Sequence, residues 1–357
     1  MSKTAYFYLT PEGQKLAQSL SASHPGDIYG KENFKETLRK AFESYDYLVC
    51  IMATGIVVRI LAPCISHKTS DPGVVVMDQK GRFAISLLSG HLGGANDLAR
   101  KMAFLSGGEA VITTATDVAG ELSFDSFAKK YHMSIENIGV LKSISGTLLE
   151  GKPIVVVSSM PSSEPTYPEL WRGKKRGRFI LCTPEEYSSL LEKGSQVIHI
   201  PTVVIHEGFT LSEEEKACVQ APVLYLRPRT ICAGIGCKRG MESAPIEAAL
   251  MDTLKKEGLS PLSLKSISTI PLKADEPGIL ALADKLQVPL TVIPTEDIES
   301  LDIQGLGIAA SDYVEKQTGV LSVSTASSYL ASDRGIILVD KAKYKGITIA
   351  LSKAKTF

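Results

Sequence analysis

The feature that most constrains this chain is the run at 47–53, YLVCIMA, seven apolar residues in succession. It is far too short to span a bilayer. It is also too uniformly apolar for a sheet with one wet face, so it predicts a strand covered on both sides, as in a parallel sheet. Its surroundings repeat the theme. Residues 5–9 read as a strand and 12–22 as a helix. Residues 33–45 read as a second helix, with Phe34, Leu38, Ala41, Phe42 and Tyr45 at helical spacing. After the run come a helix at 55–65, strands at 74–77 and 83–88 joined by a Gln-Lys-Gly turn, a helix at 91–105 and a strand at 110–114. Such alternation predicts an α/β sandwich with a largely parallel sheet.

The last third resumes that alternation. Strands are expected at 230–235, 264–270 and 290–293, and helices at 242–257, 277–286, 311–317 and 324–331. A hairpin closes the chain at 335–352. The middle has strand-like runs at 153–157, 179–182, 197–199 and 202–205 with weak helical pattern. Its basic group, Lys174, Lys175, Arg176 and Arg178, reads as a solvated loop. At 357 residues the chain is long enough for two or three domains. The expected fold is therefore α/β: N- and C-terminal α/β sandwich domains with mostly parallel sheets, joined by a small middle α/β or β-rich domain. The segments are 1–137, 138–229 and 230–357.

Composition removes several functions. Lys plus Arg equals Asp plus Glu at 39 each, and aromatics make up 6%. Neither favours nucleic acid or an anionic membrane surface as a partner. No run of about 18 apolar residues exists to span a membrane, and the N-terminal segment has no secretory h-region. Six cysteines, none in a C-x-x-C pair, suggest free thiols in a reducing cytoplasm and argue against structural zinc.

The chemistry gathers at strand ends. Residues 89–96, SGHLGGAN, form a Gly-rich turn between a strand and a helix. Ser89, Gly90, Gly93, Gly94 and Asn96 could bring a helix N-terminus close to an anion, and His91 could act as acid or base. A tight capped turn explains the same residues. In 113–117, TTATD, Thr114 and Asp117 follow another strand; Asp117 could orient an imidazole or act as a base, or simply cap a helix. Thr54, Gly55, Arg59 and Lys68 flank a third strand end, where Arg59 could hold a carboxylate or pair with Asp71. Gly234, Gly236 and Arg239 lie in 234–240, GIGCKRG, whose spacing is one residue too long for a dinucleotide fingerprint. Cys237 there reads as a packed thiol. Lys273, in LKADEP, is a candidate for an acidic ligand.

Taken together and in order, these motifs resemble one family. Residues 51–102, extended by 113–117, are similar to the N-terminal domain of the cobalt-precorrin-5A hydrolases. Residues 234–240, 271–277 and 343–350 (KYKGITIA) resemble that family's C-terminal domain. Ser324-Thr325-Ala326 departs from the pattern, since relatives often place an acid and a proline there. The resemblance implies a hydrolase of anaerobic vitamin B12 (cobalamin) synthesis. It would open the δ-lactone of cobalt-precorrin-5A and release acetaldehyde, giving cobalt-precorrin-5B. No organic cofactor and no protein-bound metal are implied, because the cobalt arrives with the corrin substrate. The implied partner is that cobalt-corrinoid, with transient contacts to neighbouring pathway enzymes. The glycine turns, helix N-termini and basic residues above would bind its carboxylates. His91, kept neutral by the helix N-terminus, would activate water. The amides of 93–96 would face the oxyanion, and Asp117 would orient His91 or share its proton. The alternative is a non-catalytic protein that shelters a corrinoid intermediate.

Overall fold

The computed structural model describes residues 2–67, 70–159, 167–308 and 322–355; Lys68 and the helix expected at 311–317 lie outside the described residues. Two compact units account for the chain, one of residues 1–129 with 145–152, the other of 130–144 with 153–357.

In the first unit the apolar runs become the middle of one sheet. Its strands are β1 (Thr4–Tyr8), β2 (Asp27–Tyr29), β3 (Tyr47–Ile51), β4 (Gly73–Met77), β5 (Phe83–Leu88) and β6 (Glu109–Val111). They lie in the order β2-β1-β3-β4-β5-β6. The continuous apolarity of β3 follows from its place. Leu48 and Cys50 pack under helices α2 (Phe34–Ser44) and α3 (Thr54–Leu61). Val49 and Ile51 point the other way, into a core with α1 (Pro11–Ser23) and α4 (Ala95–Ser106). With side chains alternating between two dry faces, every position must be apolar. The α1 helix starts where its sequence dictates, with Thr10 accepting from the Gly13 amide and Pro11 in the first turn.

Two details of this unit differ from expectation. The helix after β5 starts at Ala95, not at 91, because Gly94 is left-handed at φ +81° and residues 91–94 form a turn. Two short helices, α5 (Ala115–Ala119) and α6 (Phe124–Lys130), follow β6. They are too short for hydrophobic periodicity to reveal.

The second unit contains two sheets. One has β7 (Met133–Ile135), β8 (Ile154–Ser158), β9 (Phe179–Cys182), β10 (Thr202–Ile205) and β11 (Val223–Pro228), ordered β7-β11-β10-β8-β9. Every pairing in it is parallel except β7 with β11. Helices Pro168–Lys175, Pro184–Glu192 and Glu213–Cys218 make this region α/β; the last two open with reciprocal Thr183/Glu186 and Ser212/Glu215 caps. The strand expected at 197–199 is a tight 3-10 turn. The basic group is not a loop throughout: Lys174 and Lys175 end a helix, exposed, where cations complement its dipole.

The other sheet has β12 (Ile231–Cys237), β13 (Leu264–Thr269), β14 (Leu290–Val292), β15 (Ile336–Tyr344) and β16 (Ile347–Lys353), ordered β14-β13-β12-β16-β15. β12, β13 and β14 are parallel, and the closing hairpin β15–β16 adds on antiparallel. Helices Ser243–Lys256 and Pro277–Lys285 cover one face. The helix Ser324–Ala331 lies on the other, with the backbone oxygen of Ser324 over Gly234. The two sheets are stitched at Glu207. Its carboxylate accepts from Thr230 Oγ1 at 3.0 Å and meets Lys353 Nζ at 2.7 Å, and its carbonyl accepts from Ser263 Oγ. Among the described residues no helix is long and apolar enough to cross a membrane.

Candidate active site

Register decides which residues of the first sheet can meet. β5 runs antiparallel to β4, with Leu88 opposite Val74 at the start of β4. Thr54, Gly55 and Arg59 follow the end of β3, which runs parallel to β4. The segment 89–96 and the TTATD segment, which follows β6, therefore lie at the opposite edge of the sheet from Thr54. Five strand residues at about 3.3 Å each separate the two edges by roughly 16 Å. The first unit's proposed carboxylate binders do not form one site.

At the far edge, Thr54 lines a cavity of about 390 Å³ with Met52, Ala53, Ile56, Met77 and Asp78. Gly55 lies in the first turn of α3, and Arg59 folds back to donate to the Gly55 carbonyl at 3.0 Å. Asp71 does not pair with Arg59; it is buried and accepts from the amides of Ser66 and His67.

At the near edge, His91 and Asp117 meet. Nε2 of His91 is 2.7 Å from Asp117 Oδ2, and Nδ1 is 3.2 Å from Asp125 Oδ1. The Ser123 hydroxyl sits 3.1 Å from Nδ1 and donates a short bond to Asp125. Asp117 also accepts from Asn96 Nδ2 at 2.9 Å and Arg100 Nη2 at 2.5 Å, two residues one turn apart on α4. Asn96 is buried, donates to Thr114 and accepts from Ser86. Three carboxylate–cation contacts thus close on themselves.

This arrangement favours the protonated ring, against the neutral ring expected of His91. Burial disfavours the imidazolium, but the carboxylates of Asp125 and Asp117 outweigh it and the pKa is raised. Burial likewise opposes ionisation of Asp117 and Asp125; His91, with Arg100 at Asp117 and Ser123 at Asp125, holds both pKa values below the usual range. A helix N-terminus was expected to keep the ring neutral, but two carboxylates in contact override a partial dipole charge. The expected oxyanion hole is also absent among 94–96. Gly94, Ala95 and Asn96 donate their amides to the carbonyls of His91, Ser89 and Gly90. The glycines serve the turn itself. A Cβ on Gly93 would stand 2.2 Å from that of Ser89, and one on Gly90 would stand 2.7 Å from Asn96 Oδ1. Ser89 is left-handed at φ 56°.

The C-terminal sheet presents a different surface. β12 continues to Cys237, so Gly234 and Gly236 are strand residues and the turn begins at Lys238. Gly234 is buried under a helix; a Cβ there would stand 1.8 Å from the Ser324 oxygen, so it cannot touch a ligand. Gly236 instead lines a cavity of about 490 Å³. Five cationic residues line it too: Lys238, Arg239, Lys273, Lys341 and Lys343. Arg239 and Lys273 meet carboxylates. Arg239 makes a bidentate pair with Asp275, at 2.8 and 2.6 Å. Lys273 pairs with buried Glu276 at 2.8 Å, and Glu276 also accepts from the Gly240 amide. Cys237 is half-buried, and burial raises its pKa, as befits a packed thiol.

Sequence reading missed Asp125, Ser123 and Arg100 in the first cluster, and Lys341 and Lys343 in the second. Lys341 and Lys343 carried a readable signal, since residues two apart on a strand share a face. Asp125 carried none beyond that of an ordinary acidic first turn. Among the described residues no group of His, Cys, Asp or Glu is arranged to hold a metal ion.

Fold and site define an α/β protein with polar clusters at its strand ends and an electropositive C-terminal cavity, and comparison with known proteins places that class in cobalamin synthesis. Residues 36–117 match the family described as Cobalamin synthesis G N-terminal, and residues 231–352 match Cobalamin synthesis G C-terminus. A Priestia megaterium protein named cobalt-precorrin-5A hydrolase is 35% identical over 315 residues, 88% of this chain and 80% of that one. A Salmonella typhimurium protein of the same name is 33% identical over 363 residues, 98% of this chain and 97% of that one. The crystal structure of CobE, from the cobalamin (vitamin B12) biosynthetic pathway, is similar at 30% identity and a TM-score of 0.34, covering 36% of this chain and 94% of that one. The chain belongs to the cobalt-precorrin-5A hydrolase family. Its role is that of an enzyme in cobalamin synthesis, rather than of a non-catalytic corrinoid carrier.

Proposed function

We propose that this chain hydrolyses the δ-lactone of cobalt-precorrin-5A and releases acetaldehyde, leaving cobalt-precorrin-5B. The observation that carries this is the 33% identity to the Salmonella hydrolase along 98% of the chain, so both ends of the molecule are accounted for. The cobalt is part of the substrate, and the reaction as written consumes one water and no organic cofactor.

The state of His91 recasts its part. A protonated ring between two carboxylates is a proton donor before it is a base. In this reading water attacks the lactone carbonyl and its protons pass to solvent, while His91 gives its proton to the departing lactone oxygen. The ring, now neutral, takes that proton back from the new alcohol. The C–C bond then breaks as the aldehyde C=O forms, and its electron pair enters the conjugated macrocycle. Asp117 and Asp125 keep the ring oriented through both transfers.

Anaerobic incubation with cobalt-precorrin-5A should yield acetaldehyde and ring product in equal amounts; lactone opening without acetaldehyde would reduce the activity to that of an esterase. Loss of a positioned acid–base group is typically worth about 10²–10⁴-fold in rate. His91→Ala should lower turnover of the folded fraction by that factor, and His91→Asn should not restore it. Full turnover in either folded variant removes His91 from the chemistry.

A further inference from the structure

Two carboxylates meet one imidazole in the cluster around His91, and what else each of them holds tells them apart. Both oxygens of Asp117 are engaged: Oδ1 accepts from Arg100, and Oδ2 from His91 and Asn96. Asp125 is held by one oxygen only. Its Oδ1 accepts from the Ser123 hydroxyl and from the Ser126 amide at 3.0 Å, and lies 3.2 Å from His91 Nδ1. Its Oδ2 has no hydrogen-bond partner among the described residues. The Asp125 side chain is 13% exposed, and Oδ2 reaches solvent.

The contacts at Oδ1 fix the carboxyl plane and leave the second oxygen facing outward. Burial opposes ionisation of Asp125, but His91, Ser123 and the Ser126 amide outweigh it, so the group stays a carboxylate. On the ring, the closest contact is at Nε2, 2.7 Å from Asp117, while the contacts at Nδ1 are longer, 3.1 and 3.2 Å. The more loosely held proton of the ring is therefore the one on Nδ1, the side where Asp125 stands. A proton donor and an open proton acceptor thus lie next to each other.

We propose that Asp125 Oδ2 is the general base that activates the water attacking the lactone carbonyl, a catalytic residue and not only a second clamp on His91. Asp117 is then a positioning residue, and Ser123 holds Oδ1 so that Oδ2 faces the water. As the water oxygen bonds to the carbonyl carbon, one of its protons passes to Oδ2. The lactone C–O bond then breaks, its electron pair stays on the departing oxygen, and that oxygen takes the Nδ1 proton of His91. Loss of the imidazolium charge makes Asp125 more basic, so it keeps the water's proton until the lactone oxygen has left. Asp125 afterwards releases that proton to solvent, where the new carboxylic acid also loses its own. The base role rests on the lactone hydrolysis proposed above; the choice between the two carboxylates rests on their contacts.

The test is anaerobic turnover of cobalt-precorrin-5A, with lactone opening followed by mass spectrometry and acetaldehyde measured separately. Asp125→Asn keeps the size of the side chain and an acceptor for Ser123 and Ser126, but it cannot take a proton from water. It should lower kcat for lactone opening by about 10²–10⁴-fold and leave KM nearly unchanged. In Asp125→Gly, added formate or azide can occupy the vacated place and should recover part of the lost rate; chloride at the same ionic strength should recover none. Wild-type kcat in Asp125→Asn, or no recovery in a folded Asp125→Gly protein, would overturn the proposal. A third outcome would overturn it too. If the Asp125→Asn loss disappeared at a pH low enough to protonate His91 again, as followed by NMR, Asp125 would serve only the charge of the ring. His91→Ala separates this proposal from the acid role of His91. Normal lactone opening in Asp125→Asn with loss in His91→Ala sinks the base alone, and the reverse pattern sinks the acid alone. Wild-type protein that leaves the lactone closed sinks both.

Discussion

The cluster around His91 and the cavity around Lys341 are both polar, both at strand ends and both singled out by glycine turns, yet they are built on opposite plans. Around His91 every charge meets its opposite: Asp117 and Asp125 face the ring, and Arg100 and Asn96 complete Asp117. Around Lys341 the lining charges are all of one sign. The first plan holds one proton in one place. The second gathers like charge along one surface. A glycine turn in the sequence announces neither, since in both places the glycines answer to packing within the chain.

The sharpest way to break the comparison is to remove a partner in each. Truncating one member of a buried ion pair costs about 3–5 kcal/mol, because the other is left buried and unpaired. Asp125→Ala leaves His91 its second carboxylate, Asp117, so it should lower stability by less than that, read from the denaturant midpoint, and should bring the His91 pKa down when followed by NMR. Lys343→Gln should leave the midpoint unchanged or raised, since one of several like charges along the cavity is removed. If the two variants were equally destabilising, the cavity lysines would be structural and the contrast would vanish.

A pH series sharpens the same contrast. The raised pKa of His91 gives stability that is complete below the ordinary histidine value near 6.5 and is lost as pH rises through the folded-state pKa. The lowered pKa values of Asp117 and Asp125 give stability that is present above about 3.9 and lost as pH falls through theirs. The cluster is therefore firmest between about pH 4 and 6.5. Lys341 runs the other way on the alkaline side, because its lowered pKa disfavours folding while the lysine is charged. Melting curves across neutral to mildly alkaline pH should show a decline in wild type that is absent from His91→Asn. A parallel decline in both would assign it elsewhere. The smallest effect is expected at Arg239→Gln. Its pair with Asp275 is exposed on both sides, so the unfolding midpoint should not move measurably.

How far the sequence could be read follows the same division. Elements announced by dry cores were legible: β3 from its seven apolar residues, α2 from its spacing, the β15–β16 hairpin from its alternation. The meeting of His91 with Asp117 was legible as well, since both follow strands that run in the same direction. What was not legible depends on sheet order. The short Gln-Lys-Gly connection allows β5 only an antiparallel return along β4, and that reversal moves Thr54 and Arg59 to the far edge; what stays hidden is which strands lie beside that pair. Asp125 reaches His91 only because α5 and α6 fold the chain back over it, and helices of five and seven residues leave almost no periodic trace. In the middle region, helices of six to nine residues left the choice between α/β and β-rich open in the same way.

Gly234 looked like a residue that lets a ligand approach, and it proves to be a joint between two parts of the scaffold. Its missing side chain is a notch in the sheet, and the first turn of the helix Ser324–Ala331 drops into it. Such a notch works as a depth stop does in carpentry. The helix settles until Ser324 meets bare backbone, and that depth sets how far the cavity wall stands from the lysines of the hairpin. One methyl group at 234 would lift the wall without altering any residue that lines the cavity. The width of the cavity is therefore gauged from behind, at a position no ligand ever reaches.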